Sequence, residues 1–209
     1  RAAPGPADTV FVMGCGAVGL LLIAALRASG CTSRIVAVAR YPHQQRLAKE
    51  LGASELTAAR GTTAERYVAW AKSLSAEVLR PELGKPAVIG GADVTYDCVA
   101  SSESLDDCIR FTRSGGTMVV VGMPGVPSGV DWTPLWYKEL TLSAAYAYGV
   151  EGADRRPTFE LAIERLGPIA DRVAPLVASP LPLADYRAAF RAALNTGESG
   201  TVKTVFQPT

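Results

Sequence analysis

Short apolar segments rich in β-forming residues alternate with longer segments of helical character from the start of the chain to Gly149. We predict that the apolar segments are the strands of one sheet, at residues 9–13, 34–39, 54–57, 92–98, 117–121 and 140–146. Strands that alternate with helices usually form a parallel sheet, because each helix carries the chain back to the same end. The pattern therefore predicts an α/β fold with a doubly wound, parallel, six-stranded sheet.

The segments between the predicted strands carry the signals of helices and loops. Apolar spacing, together with Pro at a helix start and Gly after a helix end, predicts helices over residues 17–29, 42–51, 62–79 and 103–111. Gly and Pro predict loops over residues 80–91 and 122–134 and a turn at Gly115-Gly116. Tyr67 and Trp70 lie in a long insert, residues 59–90, and are assigned to helix packing.

A different rhythm follows Gly149, with predicted helices over residues 158–166 and 184–195 and predicted strands over 173–177 and 202–206. This tail has few apolar faces of its own, so we expect it to pack on the main domain or on a domain outside this chain. We accordingly divide the chain into a domain of residues 1–149 and a C-terminal segment of residues 150–209. The chain does not begin with Met, and we expect that it was cut from a longer protein.

The 209 residues are 48% hydrophobic and 20% charged, with a formal net charge of +1. This size suits one full domain and a smaller piece, and the balanced charge argues against nucleic acid as a partner. The longest apolar run, residues 18–26, is too short to cross a bilayer, so no membrane partner is expected. The four cysteines form no CxxC pair and His43 is the only histidine, so we predict inert thiols, no metal site in this chain and a cytoplasmic location.

The first predicted strand is followed by a glycine-rich turn, GCGAVG at residues 14–19, that opens a predicted helix. The GxGxxG spacing alone is a weak signal, but a strand before it and a helix after it are the context that dinucleotide binding needs. Gly14 suits a tight turn, Gly16 lets a pyrophosphate approach the backbone, and Gly19 lets the helix pack on the strand. The N–H groups at the helix start, including those of Ala17 and Val18, favour an anion. We therefore predict a Rossmann-type dinucleotide site, the alternative being a structural turn without a ligand.

The end of the second predicted strand indicates which dinucleotide binds. NAD sites usually place an acidic residue there for the ribose hydroxyls, whereas NADP sites offer a cation to the 2′-phosphate. Here Ala39 occupies the acidic position and is followed by Arg40 and Tyr41, with His43 and Arg46 near enough in sequence to assist. The guanidinium of Arg40 can pair with a phosphate and stack on adenine. We predict that NADP(H) is preferred over NAD(H), the alternative being that Arg40 is a solvated surface residue.

The glycine turn is one of several blocks that occur in the order of a known family, at residues 14–20, 46–53, 91–98, 114–117, 121–123, 138–142 and 197–203. Through these blocks the chain resembles the medium-chain dehydrogenase/reductase superfamily, in particular its zinc-type alcohol dehydrogenase branch. Together the blocks are far more specific than any one of them. The resemblance implies an oxidoreductase that transfers a hydride between NADP(H) and a small-molecule alcohol/carbonyl substrate.

The resemblance also implies that the nicotinamide lies along the C-terminal ends of the fourth, fifth and sixth strands. The residues at these ends are Cys98, Val99, Val121, Gly122, Met123 and Ala145. Their backbone groups would hold the carboxamide, and Val99 would press the ring toward the substrate. Lys203 stands where relatives often carry a basic residue that reaches the pyrophosphate. The alternatives are ordinary sheet packing for the strand ends and a solvated charge for Lys203.

Zinc-type members of the superfamily carry their zinc ligands and proton relay in an N-terminal catalytic domain, and no segment of this chain matches it. We therefore expect zinc only in a domain outside this chain, assign no catalytic residue, and interpret residues 150–209 as the return segment that completes that domain. Two alternatives stay open: a zinc-free quinone or enoyl reductase of the same superfamily, and a non-catalytic NADPH-binding module.

An aromatic segment, residues 132–137, precedes the sixth predicted strand. In the family, two subunits commonly join their sheets at this edge, and aromatic residues are enriched in interfaces. We therefore predict a homodimer through the edge of the sixth strand, the alternative being that these side chains pack within one subunit.

Overall fold

The computed structural model describes residues 2–82, 84–178 and 180–207. Its central sheet consists of strands β1 Thr9–Met13, β2 Arg34–Val38, β3 Glu55–Thr57, β4 Ala92–Asp97, β5 Thr112–Val120 and β6 Thr141–Ala144. The strands lie in the order β3-β2-β1-β4-β5-β6, and each neighbouring pair is parallel. The predicted α/β fold with a doubly wound, six-stranded parallel sheet is confirmed.

Helices connect and cover these strands. They are α1 Ala17–Ala28, α2 Pro42–Leu51, α3 Thr63–Ser73, α4 Ser102–Phe111, α5 Thr133–Tyr137, α6 Thr158–Leu166, α7 Ala170–Val173, α8 Tyr186–Leu194 and α9 Thr196–Ser199. Short 3₁₀ turns lie at Gly167–Ile169, Ala174–Leu176 and Leu183–Asp185. Among the residues that the structure describes, no helix is both long enough and apolar enough to span a bilayer.

Alternating side chains of β1 enter two buried clusters, one on each face of the sheet. Val10 and Val12 belong to the cluster formed with α1 and α2. Phe11 belongs to the opposite cluster, formed with α3 and α4, where its ring lies 5.8 Å from that of Trp70 in an edge-on arrangement. Tyr67 and Trp70 are 4% and 2% exposed, so their predicted role in helix packing is confirmed.

The insert after α3 forms a hairpin that stands outside the central sheet. The predicted helix over residues 62–79 ends at Ser73, because Ser75 adopts a φ of 51° that turns the chain out of the helix. Glu77–Leu79 then pairs antiparallel with Ala87–Ile89, which lies in the predicted loop. Ala76 precedes the first strand of the hairpin and Gly90 follows the second. A Cβ on Gly90 would lie 3.3 Å from the Cα of Ala76, so the two ends of the hairpin are adjacent in space.

A buried arginine attaches this hairpin to the main domain. Arg110 of α4 has a side chain that is only 2% exposed. Its guanidinium donates to the carbonyl of Pro86 in the hairpin at 2.7 Å and to Asp106 at 3.1 Å. It also donates to Asp131, in the segment after β5, at 2.7 Å. Lys85 adds an ion pair with Asp106 at 3.0 Å. Arg110 therefore holds together three segments that are distant in sequence.

A second buried cation, Lys138, closes the C-terminal end of α4. Its Nζ donates to the carbonyl oxygens of Arg110 at 2.6 Å and Thr112 at 2.9 Å. Burial, with the nearby Arg110 charge, lowers the pKa of Lys138 to about 8. On the same helix, Asp107 accepts a hydrogen bond of 2.6 Å from the hydroxyl of Tyr67. The polar groups of α4 are thus paired inside the protein.

The fifth and sixth strands differ in length from their predictions. β5 begins at Thr112 and includes Gly115-Gly116, which were predicted as a turn. The pairing of β4 with β5 shifts between Ala92 and Val94, so the glycines form an irregularity within the strand. β6 is shorter than the predicted 140–146, and α5 begins within the predicted loop 122–134.

The C-terminal segment contains both predicted helices, as α6 and α8, but its predicted strands differ from the structure. Helix α6 matches the predicted 158–166, but the predicted strand 173–177 is wrong, because Val173 ends α7 and a 3₁₀ turn containing Pro175 follows. The predicted strand 202–206 is reduced to Phe206–Gln207, which pairs with Leu181–Pro182. Short antiparallel strands also lie at Val150–Glu151 and Arg156–Pro157. Val173 and Leu176 are buried in the cluster with α1 and α2, so part of the tail packs on the main domain.

Candidate cofactor site

The C-terminal ends of the parallel strands meet at one edge of the sheet, where the predicted site residues follow them. The chain passes from β1 outward to β2 and β3 and then returns to β4 on the other side of β1. In doubly wound sheets such a reversal leaves a crevice at the strand ends, and ligands bind there. The glycine turn after β1 and the residues after β4 border this reversal point.

The glycine turn has the backbone geometry that its sequence predicted. Gly14 adopts a φ of +93°, which an L-side chain rarely adopts. A Cβ on Gly19 would lie 1.9 Å from the carbonyl oxygen of Gly14, so a side chain there would push α1 away from β1. Gly16 is the N-cap of α1 and has a φ of −74°. A Cβ on Gly16 meets no described atom within 4 Å, so an open space lies beside the first turn of the helix.

This geometry fits a pyrophosphate. The first backbone N–H groups of a helix lack partners within the helix, and they carry the positive end of its dipole. Gly16 has no side chain that could cap them, and the next residues, Ala17 and Val18, bring no acidic group to the first turn. Val18 is 46% exposed. An anion can therefore approach the start of α1 from solvent.

A buried carboxylate shapes the turn after β4. One oxygen of Asp97 accepts hydrogen bonds from the backbone N–H groups of Val99 and Ala100, each at 2.9 Å, and the other accepts from the Ser104 hydroxyl at 3.0 Å. Ala100 has a φ of 57°, a left-handed conformation that these bonds hold. Burial raises the pKa of Asp97, although its N–H donors act in the opposite direction. Asp97 was not predicted as a site residue, because its only signal in the sequence is an acidic residue that ends a buried strand.

The turn that Asp97 shapes lies against the glycine turn. A Cβ on Gly14 would lie 2.4 Å from a methyl carbon of Val99, so the valine side chain fills the space that Gly14 leaves free. The N–H of Cys98 donates to the carbonyl of Met13 at 3.0 Å. Val99 is 51% exposed, so it contacts the glycine turn and also faces solvent at the crevice.

The residues that follow β5 and β6 differ in how firmly hydrogen bonds hold them at the same edge of the sheet. The N–H groups of Val121 and Gly122 both donate to the carbonyl of Asp97 at 2.9 Å. The N–H of Ala145 donates to the carbonyl of Val120 at 2.9 Å. Met123, by contrast, is 93% exposed and follows these anchored residues on the loop after β5.

The end of β2 carries a cluster of basic and aromatic side chains. Ala39 is buried, and Arg40 beside it is exposed. The Arg40 guanidinium lies 5.5 Å from the centre of the Tyr41 ring, and the His43 ring stacks on Tyr41 at 5.8 Å with an interplanar angle of 6°. The Nε2 of His43 is shielded from solvent and has no hydrogen-bond partner among the described residues. Burial, and then the charge of Arg46, lower the pKa of His43, so the ring favours its neutral form.

The C-terminal segment reaches this end of the sheet. A Cβ on Gly197 would lie 2.4 Å from the Tyr41 ring, so α9 packs directly on that ring. The backbone of Lys203 is fixed by bonds to Leu176 at 3.0 Å and Ala178 at 2.9 Å, and its side chain is exposed. The structure thus brings the tail against the β2 side of the site, where Lys203 is exposed.

The thiols of the site are not reactive groups. Burial raises the pKa of Cys15 to about 12, and burial, with the Asp97 charge, raises the pKa of Cys98 further. A thiol with a raised pKa stays protonated and is a poor nucleophile and metal ligand. Within residues 2–82, 84–178 and 180–207, no three His, Cys, Asp or Glu side chains converge in a group that could hold a metal ion. Zinc therefore does not fit the described residues, whereas a dinucleotide does.

Residues 17–166 match a family model described as zinc-binding dehydrogenase. The chain belongs to the zinc-binding dehydrogenase family. The match runs from the first residue of α1 to the last residue of α6, and so includes every strand end of the site except that of β1. The resemblance drawn from the sequence blocks is confirmed.

Two relatives and one solved structure that the chain resembles carry dehydrogenase names. The chain is 29% identical over 177 residues to the L-idonate 5-dehydrogenase of Vitis vinifera, covering 85% of this chain and 43% of that protein. It is 25% identical over 197 residues to the L-idonate 5-dehydrogenase (NAD(P)(+)) of Escherichia coli, covering 94% and 50%. The crystal structure of 2R,3R-butanediol dehydrogenase from Bacillus subtilis has a TM-score of 0.70 and 27% identity, covering 97% of this chain and 51% of that one. The chain therefore spans about half the length of the relatives it matches.

Proposed function

We propose that this chain is the cofactor-binding part of an oxidoreductase that transfers a hydride between NADP(H) and an alcohol/carbonyl pair. The observation that carries the proposal is the open space beside Gly16, at the start of a helix whose packing requires Gly19. The names of its relatives, which include L-idonate dehydrogenases, support a polyhydroxy alcohol as the substrate class. The bound dinucleotide supplies the hydride, and this chain supplies position and electrostatics.

Each part of the site has an assigned task. The turn residues Gly14, Gly16, Ala17, Val18 and Gly19 and the basic Lys203 bind the pyrophosphate. The residues Ala39, Arg40, Tyr41 and His43 bind the adenosine end. The residues Cys98, Val99, Val121, Gly122, Met123 and Ala145 hold the nicotinamide end. Asp97 is a positioning residue, since it fixes the backbone that carries Val99.

The preference for NADP(H) over NAD(H) rests on the end of β2. Ala39 leaves no carboxylate there to repel a 2′-phosphate, and the exposed Arg40 can bind one through two parallel N–H groups. The test is to titrate the chain with NADPH and with NADH by calorimetry. We expect NADPH to bind about tenfold more tightly, the range expected for one charged hydrogen-bonding contact. Equal or tighter binding of NADH would contradict the preference.

The catalytic zinc and the proton relay belong, in this proposal, to a domain outside residues 1–149 that the segment 150–209 helps to complete. Support comes from apolar side chains that recur along single faces of α6 and α8. Phe159 and Ile163 of α6 are each 59% exposed, and Phe190 and Leu194 of α8 are 62% and 82% exposed. Apolar helix faces of this kind usually pack against another body. Zinc analysis and NADPH-linked polyol oxidation on a longer form of the protein test this assignment, and a zinc-free active enzyme would favour the reductase alternative.

We also propose a homodimer through the outer edge of β6. This strand is at the end of the sheet, and Trp136 and Tyr137 beside it are 80% and 48% exposed. Leu142, in the middle of β6, is 39% exposed. A Leu142→Lys substitution at this edge should convert a dimer into a monomer in analytical ultracentrifugation, since edge lysines oppose strand pairing. A wild-type chain that sediments as a monomer over the whole accessible concentration range would refute the dimer.

A further inference from the structure

A second guanidinium lies over the aromatic ring at the end of β2, and it comes from a different loop. Arg60 belongs to the connection between β3 and α3, within the insert 59–90. Its guanidinium carbon lies 5.5 Å from the centre of the Tyr41 ring, the same distance as that of Arg40. The two side chains are both exposed. Two cations that are twenty positions apart in sequence therefore lie over the same Tyr41 ring.

Unlike three arginines of β2, α2 and α3 near them in the chain, these two have no acidic partner in the described part of the protein. Arg34 pairs with Glu55, Arg46 with Glu50 at 3.1 Å, and Arg66 with Glu103. Among residues 2–82, 84–178 and 180–207, neither Arg40 nor Arg60 forms an ion pair with a carboxylate. Two unpaired cations on one ring repel each other, so a bound anion at this place relieves an unfavourable charge arrangement.

The ring that carries the two cations is held in place from other directions. His43 stacks on it with an interplanar angle of 6°, and α9 lies against it at Gly197. Tyr41 is also the N-cap of α2, so its backbone is part of the helix start. A fixed ring limits the positions that both guanidinium groups can adopt. Such preorganisation reduces the entropy lost when a ligand binds.

We propose that Arg60 is the second cation of the 2′-phosphate site and determines, together with Arg40, the preference for NADP(H). This inference rests on the proposed function, because it assigns a further residue to the same cofactor. The chemistry fits the ligand, since a phosphate monoester carries close to two negative charges at neutral pH and offers three acceptor oxygens. Two guanidinium groups can each donate a pair of N–H bonds to it.

The test compares three glutamine variants of the chain, and in addition Arg60→Lys, in calorimetric titrations with NADPH and with NADH. The glutamine variants are Arg60→Gln, Arg40→Gln and Arg34→Gln, the last of which removes the same charge from the opposite end of β2. We expect Arg60→Gln and Arg40→Gln each to weaken NADPH binding about tenfold, and Arg60→Gln to leave NADH binding within about twofold. Arg34→Gln should change neither. Arg60→Lys should recover part of the NADPH affinity, because lysine restores the positive charge but not the paired N–H groups of a guanidinium.

The outcomes separate this inference from the function on which it rests. If the wild-type chain binds neither dinucleotide, or prefers NADH, the proposed function fails first. If the wild-type chain prefers NADPH and Arg40→Gln abolishes the preference while Arg60→Gln does not, only the assignment of Arg60 is overturned. If Arg60→Gln weakens NADPH and NADH equally and lowers the melting temperature, Arg60 merely packs on Tyr41, and the assignment is also overturned.

Discussion

Replacing either of two glycines in the phosphate turn should separate the packing of α1 from the binding of the cofactor. In Gly19→Ala the new methyl group would lie 1.9 Å from the carbonyl oxygen of Gly14, and both groups belong to the backbone. In Gly16→Ala the new methyl group meets no described atom within 4 Å. The two substitutions add the same group three positions apart, so each is a control for the other.

The expected magnitudes follow from these distances. Cβ atoms do not approach other heavy atoms closer than about 3 Å, so α1 must move by about 1 Å in Gly19→Ala. That movement disturbs Leu20 and Ile23, which are fully buried. Overpacking of this kind costs about 1–3 kcal/mol, and the gain from Ala over Gly in a helix offsets about 0.5–1 kcal/mol of it. We expect a net loss of about 1–2 kcal/mol for Gly19→Ala and a change within about 0.5 kcal/mol for Gly16→Ala.

Urea unfolding and NADPH titration on the same samples check both expectations. Gly16→Ala should unfold at the wild-type urea concentration, yet bind NADPH at least about tenfold more weakly, because its methyl group occupies the approach to the helix start. Gly19→Ala should lose stability and affinity together. Wild-type affinity in Gly16→Ala would refute the pyrophosphate assignment, and wild-type stability in Gly19→Ala would refute the tight contact between helix and strand.

Two further predictions concern buried ionisable groups in α4 and at its C-terminal end. Burial raises the pKa of Asp107 from 3.8 to about 6. At pH values between these two, the folded chain holds a proton that the unfolded chain has lost. The free energy of unfolding therefore falls as the pH rises through this range. Asp107→Asn, which can still accept from Tyr67, should remove on the order of 2 kcal/mol of this dependence, and an unchanged difference in urea midpoint between pH 4 and 6 would contradict the argument. Lys138→Met leaves the carbonyls of Arg110 and Thr112 without their donor, and we expect a loss of about 2 kcal/mol in urea unfolding at pH 7. A melting temperature equal to that of the wild type would show that these bonds add nothing.

The sequence predicted those parts of the fold that depend on local pattern. The bounds of β1 and α6 agree with their predictions, because alternating or helically spaced apolar residues determine which side chains face the core. The backbone of the glycine turn was also predictable, since the need for a φ above zero at Gly14 is a property of that position alone. The family was likewise predictable, because its blocks are short and lie in a fixed order.

Features that depend on contacts between distant segments were not predictable. The hairpin pairs Glu77–Leu79 with Ala87–Ile89, and three-residue strands leave almost no periodicity to detect. Arg40 and Arg60 lie over the same Tyr41 ring because of the path of the β3–α3 loop, and no spacing rule predicts that path from the sequence. Asp97 can be read from the sequence, but the turn that it stabilises, with its left-handed Ala100, cannot.

The two ends of the hairpin after α3 lie side by side, so the chain leaves the main domain and returns to it at one place. Because Ala76 and Gly90 are adjacent in space, the excursion between them can lengthen or shorten without changing the order of the six strands. Its removal would still have a consequence at α4, since Arg110 would lose its bond to Pro86 while it stayed buried beside Asp106. For protein engineering, the same geometry makes the outer part of the hairpin a suitable place to insert a reporter domain, provided that the contacts of Lys85 and Pro86 are kept.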